Sequence, residues 1–471
     1  MLVRYKGDST EVVEPFLAES FEANEDNTLF TFTLPENVLF HDGTVCDAQA
    51  VKDSMIRFRR LEMGPYIVLQ RFVDDPESQI EVVDARTVTF SMTRPQPLFL
   101  AAMASSYGPF VVSPAAWAEN ATEDDPWAHE FISFNAVGTG PYRLVENITT
   151  ELVRFEKFDE YHRGWEGPHF SEVVMRVVNE NSTRRQLLEE GTSDAITSLL
   201  TGEDVQALSE NPNLNTMIYP TTRVNWAILN AIRLGVDARR GLSYAFPYDE
   251  VIEGSYSGML ERSGPIPSTV RGADPDVFLY PTDLDRAAEL LTAGGFPAGS
   301  SFDMLVVSET VEDTITAQLF QASLAQIGID LSITEIDLAT YEEIIFGEAP
   351  AEEKETILGS WEWWPDYNDP HNQLAPNFLE SAIGGGGSNG GAWVNERFEE
   401  IMAEAEVFED EDQLLELMKE AQQILTELDP PAIYYGETLM YTILQNDIQG
   451  FVPNPLYLES YFFYDMYRVS E

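Results

Sequence analysis

Along much of the first 110 residues apolar and polar positions alternate with period two, the repeat of a strand with one buried face. Leu29–Leu34 and Thr87–Met92 are the clearest runs. The second is closed by Pro95 and Pro97, which cannot donate to a ladder. Between them Asp47 precedes a helical repeat through Met55 and has the side chain of an N-cap. Residues 114–130 read as loop and short helix. The stretch from Gly138 to Asn230 mixes strands, Val173–Val178 among them, with short helices such as 182–190.

From residue 232 onward helical and strand repeats alternate clearly. Leu284, Ala287, Ala288 and Leu291 share one helical face, opened by a near capping box at Thr282–Asp285 and stopped by Gly294–Gly295. The next unit is the most legible. A strand over Phe302–Val307 leads to an amphipathic helix over 311–327 ended by Gly328, then a strand over Ile329–Ile336. A short helix over 339–346 and a strand over Thr356–Gly359 complete it. This βαβαβ order predicts an α/β fold with a parallel sheet and right-handed crossovers. Ligands of such sheets sit beyond the carboxyl ends of the strands. Here those ends are Ser308-Glu309-Thr310 and the run after Gly359. Residues 395–428 read as acidic helix, and the tail is aromatic: Tyr457, Tyr461, Phe462, Phe463, Tyr464 and Tyr467.

Length divides this pattern into two or three domains, since 471 residues exceed one ordinary core. No apolar run approaches the roughly 20 residues of a membrane span. The formal net charge is -54, with acids spread through nearly every segment and aromatics still at 11%. A disordered acidic tail would lack those aromatics. The charge reads either as a generally acidic surface or, the reading it favours, as a protein built for molar salt, where the Debye length falls to ~3 Å and self-repulsion is screened. Nucleic acid and anionic membranes are poor partners for it.

Chemistry is sparse by comparison. Cys46 is the one cysteine and reads as a structural thiol, and the five histidines are scattered without metal-ligand spacing. No metal and no cofactor is predicted. Gly384–Gly391 is a flexible loop rather than a phosphate cradle, because no Walker lysine follows. Gly254-Ser255-Tyr256-Ser257-Gly258 has tyrosine where a nucleophile elbow needs serine. One cluster stands out. Trp361-Glu362-Trp363-Trp364-Pro365-Asp366-Tyr367-Asn368-Asp369-Pro370 holds three of eight tryptophans at a predicted strand end. An aspartate walled by indoles would hold an ammonium by charge-assisted hydrogen bonds and cation–π attraction. A structural turn plugged by aromatics is the plainer alternative.

Ordered motifs resemble one family, the solute-binding proteins of peptide, dipeptide and nickel ABC importers. Pro15-Phe16-Leu17-Ala18-Glu19-Ser20-Phe21 resembles its "P-x-L-A-E-S-W", and Phe30 to Thr44 its "YTFxLRxGVKFHDGT". Gly138-Thr139-Gly140-Pro141-Tyr142 matches "GTGPY", Asp237 to Ala245 resembles "DxRVRxALxYAID", and Trp363 to Pro370 resembles "WxxDYxDP". The resemblance runs from residue 2 to the end. It implies a two-lobed periplasmic-binding-protein-like fold (type II, cluster C) that closes on its ligand. Residues 1–24, 138–231 and 447–471 would form lobe I, 25–137 an additional small subdomain on it, and 232–446 lobe II. It further implies that Asp366 pairs with a peptide α-amino group and that Trp363 lines the pocket. Trp364 and Tyr367 belong to the same segment. Trp226, Asn230, Tyr434 and Tyr435 are expected to face the cleft.

The implied protein is a monomer on the extracellular face of the cytoplasmic membrane, periplasmic or lipid-anchored. It is not an enzyme. It delivers a peptide or other small solute to an ABC permease and, indirectly, its ATPase. Two departures bear on this. The family's first strand and signal sequence precede the piece matched by Leu2-Val3-Arg4-Tyr5, so some 40 or more residues are expected upstream. Dipeptide-binding members often carry an arginine where this chain has Ser308-Glu309-Thr310, which favours longer peptides. An oligosaccharide or metal chelate on the same fold is the alternative, followed by an extracellular hydrolase or receptor.

Overall fold

The computed structural model describes residues 1–196, 200–385, 387–408, 410–458 and 460–469. Gly386 of the glycine-rich run and residue 409 of the acidic helical run thus lie outside the described residues. The chain forms two compact units. One comprises 1–200, 208–217 and 442–471, the other 201–207 and 218–441.

In the first unit an antiparallel sheet takes the strands Ser20–Ala23, Leu29–Thr33, Thr87–Ser91 and Ile80–Val82 in that spatial order. Its inward residues Phe30, Phe32 and Phe90 converge on Phe99, with ring centroids 4.7, 6.4 and 5.3 Å away. The helix Ala48–Leu61 starts at Asp47, whose carboxylate accepts from the Ala50 amide at 2.9 Å, as the sequence predicts. A second antiparallel sheet joins Tyr142–Ile148, Leu152–Lys157 and Glu172–Arg176.

The second unit holds the α/β pattern. The elements that frame the site are β1 (Leu214–Leu229, entering from the first unit), β2 (Ser301–Val307), α1 (Val311–Ala325), β3 (Asp330–Ile336), β4 (Ile357–Trp363), α2 (Pro370–Phe378) and β5 (Ala432–Gln445). The strand order is β5-β1-β4-β2-β3. β2 runs parallel to both β3 and β4, as the βαβαβ pattern predicts. β1 joins antiparallel to β4, so the sheet is mixed rather than wholly parallel. β1 lies outside the βαβ run, and no crossover constrains its direction. Phe246, Phe320, Leu242, Leu291, Val306 and Ile357 share one core with Tyr435, which stacks on Phe246 at 4.7 Å.

Of the four passages between the units, those at 217/218 in β1 and 441/442 in β5 fall inside long strands, and those at 200/201 and 207/208 bracket a short helical segment. A continuous strand changes its packing partners without changing its own pattern, so such a passage leaves little mark in the residues.

β4 also runs further than its apolar run suggests, through Trp363 rather than to Gly359. The cause is a bulge. Trp226 stands opposite Trp361 and Ile228 opposite Leu358, so Gly359 and Ser360 together face Ala227. Ser360 has φ 65°, and a Cβ on Gly359 would come 2.5 Å from the Met304 side chain. The extra residue breaks the period-two pattern and re-aims the tryptophans beyond it. No described helix is long and apolar enough to cross a membrane.

Candidate functional site

The site is built on the end of β4 and the turn that leads into α2, all within the second unit. Beyond the bulge Trp361 is buried, while Glu362, Trp363 and Trp364 are half-buried. Asp369 then caps α2 by accepting from the His371 amide at 3.0 Å, and Pro370 takes the first helical position. The first turn of α2 thereby presents Asn372 to the preceding loop. Its side-chain oxygen accepts from the Asp366 amide at 2.6 Å, and its amide nitrogen donates to the Asp366 carboxylate at 3.0 Å. The Trp363 indole donates to the Asn372 carbonyl at 3.3 Å. Asn372 therefore fixes both Asp366 and Trp363.

Asp366 is half-buried, and loss of hydration pushes its carboxyl above the usual aspartate range. The hydrogen bond from Asn372 opposes that shift without cancelling it. Such a carboxyl is poised for a cation, because an approaching ammonium restores the favourable field that water supplied.

Arg223 on β1 approaches from the neighbouring strand. Its guanidinium lies 4.6 Å from the centroid of the Trp364 ring, and its Nη1 is 3.6 Å from the Glu362 carboxylate. The next residue, Val224, stands directly opposite Trp363. Asp313 sits in the first turn of α1, beyond the carboxyl end of β2. Burial raises its carboxyl to about 7 against hydrogen bonds from Ser360 and Thr310, with further upward pushes from Glu362 and Glu312. A folded-state pKa above the unfolded value of about 3.9 means the native chain keeps a proton the unfolded chain has lost. Stability from this group therefore falls as pH rises from about 4 to about 7. Asp313→Asn is expected to be more stable than the parent at pH 8 and equal to it near pH 4. Thermal unfolding at the two pH values checks this.

The remaining sequence-predicted residues are buried. Tyr367 is 2% exposed. Trp226 is 1% exposed and packs against Phe378 and Tyr434 at 6.0 and 6.1 Å. Asn230 is fully buried. It donates to the carbonyls of Ala351 and Glu355 and accepts from the amides of Ile232 and Arg233. Strand alternation sends Tyr434 toward Trp226 and Tyr435 toward Phe246, on opposite faces of β5. The structure thus gathers Trp363, Trp364 and Asp366 in one place. Asn372 and Arg223, which sequence reasoning did not single out, join them. Arg223 had a signal of its own, a lone arginine within an otherwise β-forming run.

Among the described residues no group of three or more histidine, cysteine, aspartate or glutamate side chains is arranged to hold a metal ion.

Comparison with known proteins places the chain in a family. Residues 12–385 match the family model of bacterial extracellular solute-binding proteins, family 5, in its middle region. The chain belongs to this family. It is 29% identical over 465 residues to the probable D,D-dipeptide-binding periplasmic protein DdpA of Escherichia coli strain K12, covering 97% of this chain and 86% of that protein. It is 25% identical over 485 residues to heme-binding protein A of Haemophilus influenzae, covering 98% and 85% of the two. Its fold matches that of the ABC transporter-associated periplasmic binding protein DppA from Helicobacter pylori, solved with the peptide STSA. The TM-score is 0.80 at 24% identity, over 99% of this chain and 91% of that one. This is the two-lobed periplasmic-binding-protein fold that the sequence motifs imply, in a solute-binding protein of the ABC-importer peptide/nickel type.

Proposed function

We propose that this chain is the substrate-binding subunit of an ABC importer that captures peptides through their free amino group. It acts on the extracellular face of the cytoplasmic membrane, without catalysis, and hands its ligand to a permease by closure of the lobes. The observation that carries the reading is the state of Asp366. Its carboxyl is desolvated, oriented by Asn372, and set among half-buried Trp363 and Trp364. That arrangement matches an ammonium in charge and in ring-face attraction. The names of relatives point the same way, since DdpA is described as binding D,D-dipeptides and the Helicobacter structure holds a peptide.

A thermal-unfolding panel in multimolar salt tests it, with separate arms for short peptides, oligosaccharides, heme and nickel chelates. A ligand at 100 times its Kd stabilises by about 2.7 kcal/mol, which gives a rise of a few degrees. Peptides are expected to give that rise. A rise with oligosaccharides alone would show that the tryptophans serve as sugar platforms instead, and ligand breakdown during incubation would show an enzyme.

A further inference from the structure

The inference rests on the reading of Asp366 as an ammonium site and names a second group that the ligand carries. We propose that Arg223 is a specificity-determining residue that binds a carboxylate of the ligand, on the platform formed by Trp364.

Three observations support this. First, Arg223 lies in reach of the same strand end. Its guanidinium is 4.6 Å from the centre of the Trp364 ring, and Trp364 is two residues from Asp366. Two consecutive trans peptide units span at most about 7 Å between Cα atoms, so the ring that carries Arg223 and the residue that carries the carboxylate are near neighbours on one short loop. Second, the guanidinium is under-used. Its Nε is buried and has no hydrogen-bond acceptor. Its approach to Glu362 is 3.6 Å, an ion pair too long for a hydrogen bond. An unmet buried donor is costly, and a planar guanidinium accepts a carboxylate through two parallel bonds. Third, the indole face holds the guanidinium plane while the side chain stays 23% exposed, which leaves an edge open to an incoming group.

Glu362 plays a definite part. Its carboxylate lies 3.6 Å from Arg223, and its side chain is 43% exposed. It holds the guanidinium in place and competes with any ligand carboxylate for it. Removing its charge should therefore strengthen recognition of an anionic ligand. The ligand carboxylate has two possible sources, the C-terminus of a short peptide or an acidic side chain.

The test uses the tightest-binding peptide of the panel above, its C-terminal amide, and amides bearing one aspartate or glutamate. Each is titrated calorimetrically into the whole protein, into Arg223→Gln and into Glu362→Gln, with the melting temperature of each variant measured alongside. The parent protein is expected to prefer a carboxylate-bearing peptide over the plain amide by roughly tenfold or more, the size of a charge-assisted pair. Arg223→Gln should lose that preference, weakening the carboxylate-bearing peptides by a clearly larger factor than the plain amide. Glu362→Gln should increase it. A preference for the free C-terminus identifies that source, and a preference for side-chain acids identifies the other. Equal binding of acids and amides by the parent overturns the proposal. So does an Arg223→Gln variant that weakens acids and amides alike, since Arg223 would then only steady Trp364. Peptide binding that survives N-terminal blocking would instead sink the Asp366 reading and leave the Arg223 comparison intact.

Discussion

Asp366→Asn is expected to weaken binding of amine-bearing ligands by about 2–4 kcal/mol, roughly thirtyfold to a thousandfold in Kd. The variant keeps the size of the side chain, and its oxygen can still accept from Asn372, so the loop into α2 is held as before. What it loses is the charge. The ammonium is then left among Trp363 and Trp364 with ring faces as its main attraction, which is worth far less than a hydrogen-bonded ion pair in a desolvated place. The apo protein should behave in the opposite sense. Burial raises the folded-state pKa of Asp366 above its unfolded value, so the native chain holds its proton to a higher pH. Stability from this group falls as pH rises through that window, and the neutral asparagine escapes the fall. A variant that is slightly more stable yet fails to bind separates a lost contact from a damaged fold. Ligand affinity in the parent should also decline as pH drops through the raised pKa, and the variant should lack that decline. A variant with unchanged affinity would remove Asp366 from the site.

The second large effect concerns salt. The chain carries 81 acidic against 27 basic side chains. Its arginines are already shared among several carboxylates. Arg397 faces Glu400, Glu404 and Glu420, Arg154 faces Glu146, Glu156 and Glu172, and Arg86 faces Glu19 and Glu36. Most remaining acids must therefore repel one another through solvent. Two like charges 10 Å apart in water cost about 0.4 kcal/mol before screening. Tens of such pairs sum to several kcal/mol. The screening length shrinks from about 10 Å at 0.1 M to ~3 Å at 1 M. The melting temperature is expected to climb by several degrees between these limits, in potassium or sodium chloride. A melting temperature that stays flat across chloride concentration would show that this charge is tolerated without molar salt.

Local chemistry was the most legible part of the chain. Asp47 caps its helix as read, Asp283 accepts from the Arg286 amide at 2.9 Å, and β2, α1 and β3 lie within a residue or two of their expected bounds. Each depends on neighbours in sequence, so its signal is local. The end of β4 was hidden because Gly359 and Ser360 form a bulge that interrupts the alternation. The antiparallel entry of β1 was hidden for a different reason. It is set by a partner strand more than a hundred residues away. The candidate site divides in the same way. Trp363, Trp364 and Asp366 are contiguous and stood out together. Arg223 meets them only through the β1–β4 pairing, and Asn372 only through the fold of the turn into α2.

The most direct measurement is calorimetric titration of the unmodified protein, in multimolar salt, with one short peptide and with its N-acetylated twin. The two ligands differ in a single charge, placed where Asp366 is proposed to meet it. The expected result is heat and saturation with the free amine and loss of at least thirtyfold in affinity with the acetylated form. Equal affinity for both would contradict the proposed site and, with it, capture through a free amino group.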